Sequence, residues 1–211
     1  MMKRRVVVTG TGLVIPNGIG SVAAWKNICN GKGGISRITR FDTTDYPVKI
    51  AGEVTNFSTE DYFERKAARN LDPFTQFAIV AAREAISESR LDLSTLDPGR
   101  IGVITGCGMG SLPRITDQHE AALNKGFKRI SPFFITAAIP NMPSGNISMD
   151  IGSKGPNLTF TTACAAGTHA VGEAYRHIQY GMSDVILAGG TEAVICPLGL
   201  NGFSAMKALS T

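Results

Sequence analysis

Hydrophobic and polar residues alternate with two different periods across Asn157–Gly181, and the change of period falls at a cysteine. From Asn157 to Thr162, Leu158 and Phe160 alternate with polar positions in a threonine-rich run, which predicts a strand. Beyond it Ala163, Ala166, Gly167, Ala170, Val171, Ala174 and Ile178 share one face of a predicted helix that Gly181 closes. Cys164 therefore stands where a strand turns into a helix.

The same reading covers the rest of the chain. Arg5–Gly10 is a β-branched run and predicts a buried strand. Ser21 is expected to cap a short helix through Cys29 that carries Trp25, and 31–57 reads as loops with short strands. Asp72-Pro73 is a helix start, and Phe74, Phe77, Ala78, Ala81, Ala82 and Ala85 mark a face expected to pack on a sheet. Ile101–Thr105 predicts a second strand, Gly106–Ser111 a flexible loop, and the stretch to Arg129 a polar segment. Phe133 and Phe134, after Pro132, read first as core aromatics rather than a ligand wall. Asp184–Gly190 predicts another buried strand and Pro197–Phe203 a glycine-punctuated loop, with Thr211 ending the chain without a stop signal.

Composition narrows the class. With 211 residues the chain can bury the core of one large domain or two small ones. A hydrophobic share of 43% against 18% charged is that of an ordinary globular protein, and 24 glycines predict tight turns and close backbone approaches. The cysteines at 29, 107, 164 and 196 show no C-x-x-C pair and no metal-ligand spacing, so a reduced, cytosolic setting is expected and no metal is implied. The Val6-Val7-Val8 run is too short for a signal-peptide core, and no stretch approaches the roughly 18 apolar residues of a membrane span. A net charge of +4 does not by itself indicate nucleic acid. Gly10 and Gly12 fail as a dinucleotide loop, because Pro16-Asn17-Gly18 interrupts the helix that should open directly after them.

Two features carry chemistry. A thiol at a helix N-terminus meets unpaired N–H groups and the positive end of the macrodipole, which favour thiolate and can stabilise an oxyanion. Cys164 on its strand-to-helix turn parallels the nucleophile elbow of hydrolases, and this context outweighs the reading of one more inert cysteine. Arg65, Lys66 and Arg69 form the second feature, either a solvated face or a docking patch for an acidic partner.

Taken together, R-V-V-V-T-G-T-G, G-C-G-M-G-S, S-P-F-F, T-T-A-C-A-A-G-T-H-A, A-G-G-T-E and P-L-G-L-N-G-F-S-A-M-K-A-L-S-T follow the order seen in elongating β-ketoacyl-acyl carrier protein synthases. The chain resembles the type II bacterial members over its whole length. The resemblance implies an α/β thiolase-like fold of two similar halves with a buried helix layer, residues 1–211 being the N-terminal half, with a mixed sheet. It implies a discrete cytoplasmic homodimer serving fatty acid biosynthesis. Its substrates ride on the phosphopantetheine of acyl carrier protein, with no further cofactor, no nucleic acid and no membrane partner. By the same resemblance Cys164 is the acylated nucleophile. Met109 matches the gate of the acyl pocket, Phe133 a residue reaching into the partner subunit's tunnel, and Phe203 a wall beside Cys164. Lys66 and Arg69 match carrier-docking residues and Lys207 a basic residue at the tunnel mouth. Asn70 departs from a frequent lysine.

The family completes its site with two histidines and a lysine from the second half, and none of His119, His169 and His177 matches them. His169 lies five residues beyond Cys164, about 140° round a helix and roughly 7.5 Å along it, and His177 about 20 Å away. His119 is expected on an exposed loop or helix. The missing pair is therefore expected on residues beyond this chain, with a further strand following the A-L-S-T segment. Residues 1–211 alone are expected to expose a sheet edge and an apolar face, to associate and to be inactive. Alternatives are a non-catalytic chain-length or scaffold subunit, a polyketide-type ketosynthase, and a cysteine hydrolase or thiolase acting on coenzyme A esters.

Overall fold

The computed structural model describes residues 3–210, so the expectation for Thr211 lies outside the described residues. In chain order the elements begin with strands β1 (Val14–Ile15) and β2 (Gly18–Ile19), helix α1 (Ser21–Cys29), and strands β3 (Ser36–Arg37) and β4 (Ile50–Ala51). Helices α2 (Arg65–Ala68) and α3 (Pro73–Ser89) precede strand β5 (Ile101–Gly106). Helices α4 (Leu112–Lys125), α5 (Phe134–Ala138) and α6 (Met142–Ile151) follow, then β6 (Asn157–Phe160), α7 (Ala166–Gln179), β7 (Val185–Gly190) and α8 (Pro197–Ala205). The chain divides into two compact units, one of 1–12, 73–110 and 139–192, the other of 13–72, 111–138 and 193–211.

The first unit is built on a parallel sheet in the order β6-β5-β7, with Val103 opposite both Asn157 and Leu187. Every residue of β5 is buried, as a central strand covered on both faces requires. Helix α7 covers the sheet through Ala170 and Ala174, which pack with Ile104, Phe160 and Ile186. Close approach is enforced by glycine. A Cβ at Gly106 would stand 2.2 Å from the carbonyl of Ala166, and one at Gly190 2.9 Å from the Cα of Gly167.

Three expectations for this unit are corrected. Arg5–Gly10 is not a strand and is largely exposed, with Val8 83% accessible. β-Branched residues favour a strand only where a partner completes the ladder, and among the described residues none pairs with this run; the backbone N–H of its neighbour Arg4 bonds to the Gln179 carbonyl. Gly10 and Gly12 instead lie against the backbone of α3, where a Cβ would meet Ala85 O and Ala81 O at 2.1 and 1.8 Å. Helix α3 starts at Pro73 as expected, but its main partner is α6 rather than the sheet, and its deepest residues are Phe74, Thr75, Gln76, Ile79 and Val80. Strand β7 is half-buried rather than buried, because it lies at one side of the described sheet.

The second unit has its own core of Ile38, Val48 and Leu200, flanked by Phe41, Tyr46, Ala51, Ile195 and Leu209. Two short antiparallel ladders, β1-β2 and β3-β4, belong to it, in keeping with the loops and short strands expected for 31–57. The buried Glu53 carboxylate accepts bonds from the Thr39 amide and hydroxyl, both at 2.8 Å, and so ties β4's exit to the segment after β3. Ser21 is the first helical residue of α1 rather than its cap; Gly20, at φ 91°, takes that place. Pro197–Ala205 is helical and not a loop. Cys196 caps it, its sulfur accepting the Gly199 N–H at 3.4 Å, and Pro197 supplies a preset first residue. Gly199 is there for space, since a Cβ would stand 2.3 Å from Val194 O. Packing, not flexibility, explains that glycine.

Candidate active site

The carboxyl ends of β5, β6 and β7 meet beside Cys164. Parallel strands leave their ligand crevice at this end, because the connections that follow them diverge there. Strand β6 ends at Phe160, two residues continue it, and Ala163–Ala165 form one tight helical turn before α7 begins at Ala166. Cys164 occupies the middle of that turn and is exposed, so the junction expected from the change of period is where the thiol stands. Ala163 adopts φ 51°, a left-handed conformation that costs a side-chain-bearing residue energy and throws the next side chain out of the turn. No side chain caps the first turn of α7; the Ala166 N–H bonds back to the Ala163 carbonyl of the preceding tight turn.

Two braces hold the turn. The Cys107 N–H bonds to Phe160 O at 3.0 Å and the Thr191 N–H to Gly106 O at 3.0 Å, which lock the three strand ends together. On the helix side, the His169 ring stacks on Phe160 with centroids 4.3 Å apart, and its Nδ1 lies 3.3 Å from Thr162 Oγ1. His169 thus points back along the chain to Thr162, two residues before Cys164. His177 has a buried Nδ1 without a partner, and His119 is exposed on α4.

Met109 belongs to the same unit as Cys164, in the 107–110 loop that leaves β5, and is 42% accessible. The loop is organised by Cys107 and Glu192, neither singled out by sequence. Burial first, and then the Glu192 charge, pushes the Cys107 thiol up to about 11. A-G-G-T-E marked the end of β7, but nothing in one sequence said that its glutamate would turn back onto the loop.

The remaining site residues fall in the other unit. Phe133 precedes α5 and is 50% accessible, so the core reading of that aromatic is overturned. Phe203 is half-buried on α8. Lys66 lies on α2, Arg69 just after it, and Lys207 follows α8 at φ 55°; all three are exposed. All four cysteines are free. No helix among the described residues is long and apolar enough to cross a membrane.

The fold and this junction define an α/β protein with a cysteine on a strained strand-to-helix turn at the open end of a parallel sheet. Residues 3–211 match the β-ketoacyl synthase N-terminal domain, and the chain belongs to that family. Over 208 residues it is 46% identical to 3-oxoacyl-[acyl-carrier-protein] synthase 2 of Staphylococcus aureus, covering 99% of this chain and 50% of that protein. With the Vibrio cholerae protein of the same name it shares 44% over 211 residues, 100% of this chain and 51% of the other. The chain thus spans about half the length of the curated relatives it matches. Among solved structures, a type II polyketide ketosynthase in complex with its acyl carrier protein and bound to a hexaketide superposes with a TM-score of 0.84 at 29% identity, covering 99% of this chain and 56% of that one. The ishigamide ketosynthase/chain length factor gives 0.87 at 28%, covering 99% and 52%. These neighbours are thiolase-like ketosynthases, so the α/β thiolase-like class holds; the described three-stranded sheet is parallel throughout.

Proposed function

We propose that residues 1–211 form the N-terminal half of a condensing acyltransferase that lengthens fatty acyl chains by two carbons. The observation that carries this reading is the exposed thiol of Cys164 on its left-handed turn, in a chain 46% identical to a 3-oxoacyl-[acyl-carrier-protein] synthase. Cys164 sulfur attacks the thioester carbonyl of an acyl group carried on phosphopantetheine, the carrier thiol leaves, and an acyl-enzyme remains. Malonyl-carrier protein then loses carbon dioxide, and the resulting carbanion attacks the acyl-enzyme carbonyl and releases Cys164. The enolate oxygen of that second step needs hydrogen-bond donors. The resemblance assigns them to histidines of the other half, and the placement of His119, His169 and His177 supports that assignment.

Met109, Phe133 and Phe203 are proposed to shape the acyl pocket, where each buried CH₂ contributes about 0.8 kcal/mol. Lys66, Arg69 and Lys207 are proposed to meet the acidic carrier protein; the carrier protein seen on a 29% identical ketosynthase supports that partner. A cytoplasmic homodimer using no cofactor beyond its carried substrates completes the proposal. Higher identity to fatty acid synthases than to polyketide ketosynthases favours fatty acids as product, and the presence of Cys164 argues against a chain-length subunit, which usually lacks the nucleophile.

The test is intact-mass analysis of the full-length protein after incubation with acyl-carrier protein or acyl-coenzyme A. A thioester adduct from acyl-carrier protein, lost in Cys164→Ala, is the expected result. Labelling from coenzyme A esters alone would move the protein to the thiolase branch.

A further inference from the structure

The carboxylate of Glu192, just past β7, accepts the N–H of Gly108 at 2.8 Å and that of Met109 at 3.1 Å through one oxygen, Oε2. Its other oxygen, Oε1, lies 3.6 Å from Cys107 Sγ, and that sulfur accepts the Gly110 N–H at 3.3 Å. Backbone donors of three successive residues are thereby held by two side chains that touch each other. Cys107 is 1% accessible, and its raised pKa keeps it a thiol whose S–H can donate to the carboxylate. Gly108 is the residue that permits this reach, because a Cβ there would stand 3.0 Å from Glu192 Oε2 and 3.7 Å from Ala163. The clamped loop therefore lies directly against the residue before the nucleophile.

From this geometry we infer that Glu192 is a positioning residue: it fixes the 107–110 loop against the Cys164 turn and so sets where Met109 stands and which acyl lengths fit. The inference rests on the condensing-enzyme reading for its consequence, and on the hydrogen bonds alone for its structure. Backbone bonds to β6 and Thr191 hold Gly106 and Cys107, but the glycine-rich stretch beyond them, 108–110, needs a further restraint to hold one conformation. The charge-assisted bonds from the Gly108 and Met109 N–H groups to the Glu192 carboxylate supply one.

Two measurements on the full-length protein test it. The first is hydrogen exchange, which needs no turnover: the Gly108 and Met109 amides are expected to exchange at least tenfold more slowly than an open loop, and protection is expected to vanish in Glu192→Ala. The second is the rate of Cys164 acylation from butyryl-, decanoyl- and hexadecanoyl-carrier protein. In Glu192→Ala the ratio between the best and worst donor is expected to fall about fivefold. Glu192→Gln should retain most of that ratio, because its carbonyl oxygen can still accept both amides while its NH₂ donates to the Cys107 sulfur.

Open-loop exchange of these amides in the unaltered protein would overturn the inference whatever the variants do. So would an equal loss of rate at every chain length in Glu192→Ala, or Gln and Ala variants that behave alike. Absence of any adduct on Cys164 in the unaltered protein would instead sink the condensing-enzyme reading, leaving the exchange result to judge the clamp.

Discussion

Asp184 shows how much a single exposed side chain can depend on its neighbours. Arg100 grips it with bonds of 2.6 and 2.9 Å and Arg4 with one of 2.7 Å, and these hold its carboxyl well below the usual carboxylate range. The folded pKa lies below the unfolded 3.8, so the contribution to stability is present above about pH 4 and is lost as the pH falls below it. Asp184→Asn should lower the urea midpoint at pH 7, and the gap to the unaltered protein should narrow at pH 3. Cys107 has the opposite sign. The unfolded chain releases that proton near 9.0 while the folded one keeps it to about 11, so stability falls as the pH rises between those values. Urea midpoints at pH 8 and pH 10 should therefore converge between Cys107→Ala and the unaltered protein.

Elements meet in this fold through glycine, and two positions in one helix separate packing from flexibility. On α8, Gly199 faces Val194 O at 2.3 Å from a would-be Cβ, whereas Gly202 has nothing within 4 Å. Gly199→Ala should destabilise by about 1–3 kcal/mol through overpacking, and Gly202→Ala should be neutral or stabilise by up to about 1 kcal/mol through helix propensity. Calorimetric midpoints of the pair check the opposite signs. At the junction of β5 and α7, Gly106→Ala should cost at least about 2 kcal/mol, since Ala166 cannot move without shifting the Cys164 turn. Loss of acylation alongside the lower midpoint is the expected signature.

At the scale of the molecule, both units expose apolar residues: Val7, Val8, Val171, Tyr175, Tyr180 and Met182 on the first and Val22, Trp25, Leu123, Phe127 and Met206 on the second are each 47% accessible or more. Apolar surface of this kind marks an interface in a soluble protein. Residues 1–211 expressed alone should self-associate with little salt dependence, as sedimentation velocity would show, and should form no condensation product. Carrier docking should behave in the contrary way. Reversing Lys66 and Arg69 to glutamate should reduce kcat/KM for acyl-carrier protein about tenfold at low salt, with the difference shrinking as salt screens the contact.

Strand β5, helices α3 and α7 and the Cys164 junction were all legible in the sequence, because each rests on local periodicity and a local breaker: alternation, one apolar face, Asp72-Pro73, Gly181. Long-range partners were not. Arg5–Gly10 reads as a strand yet pairs with nothing described, Pro197–Phe203 reads as a loop yet is a helix capped by Cys196, and Glu192 reads as the end of a strand yet reaches back to the 107–110 loop. The sequence by itself determined where Cys164 stands, since a change of hydrophobic period needs only neighbours along the chain. What holds the loop beside that cysteine was decided only by tertiary structure, because a hydrogen bond between residues 84 apart leaves no period to read.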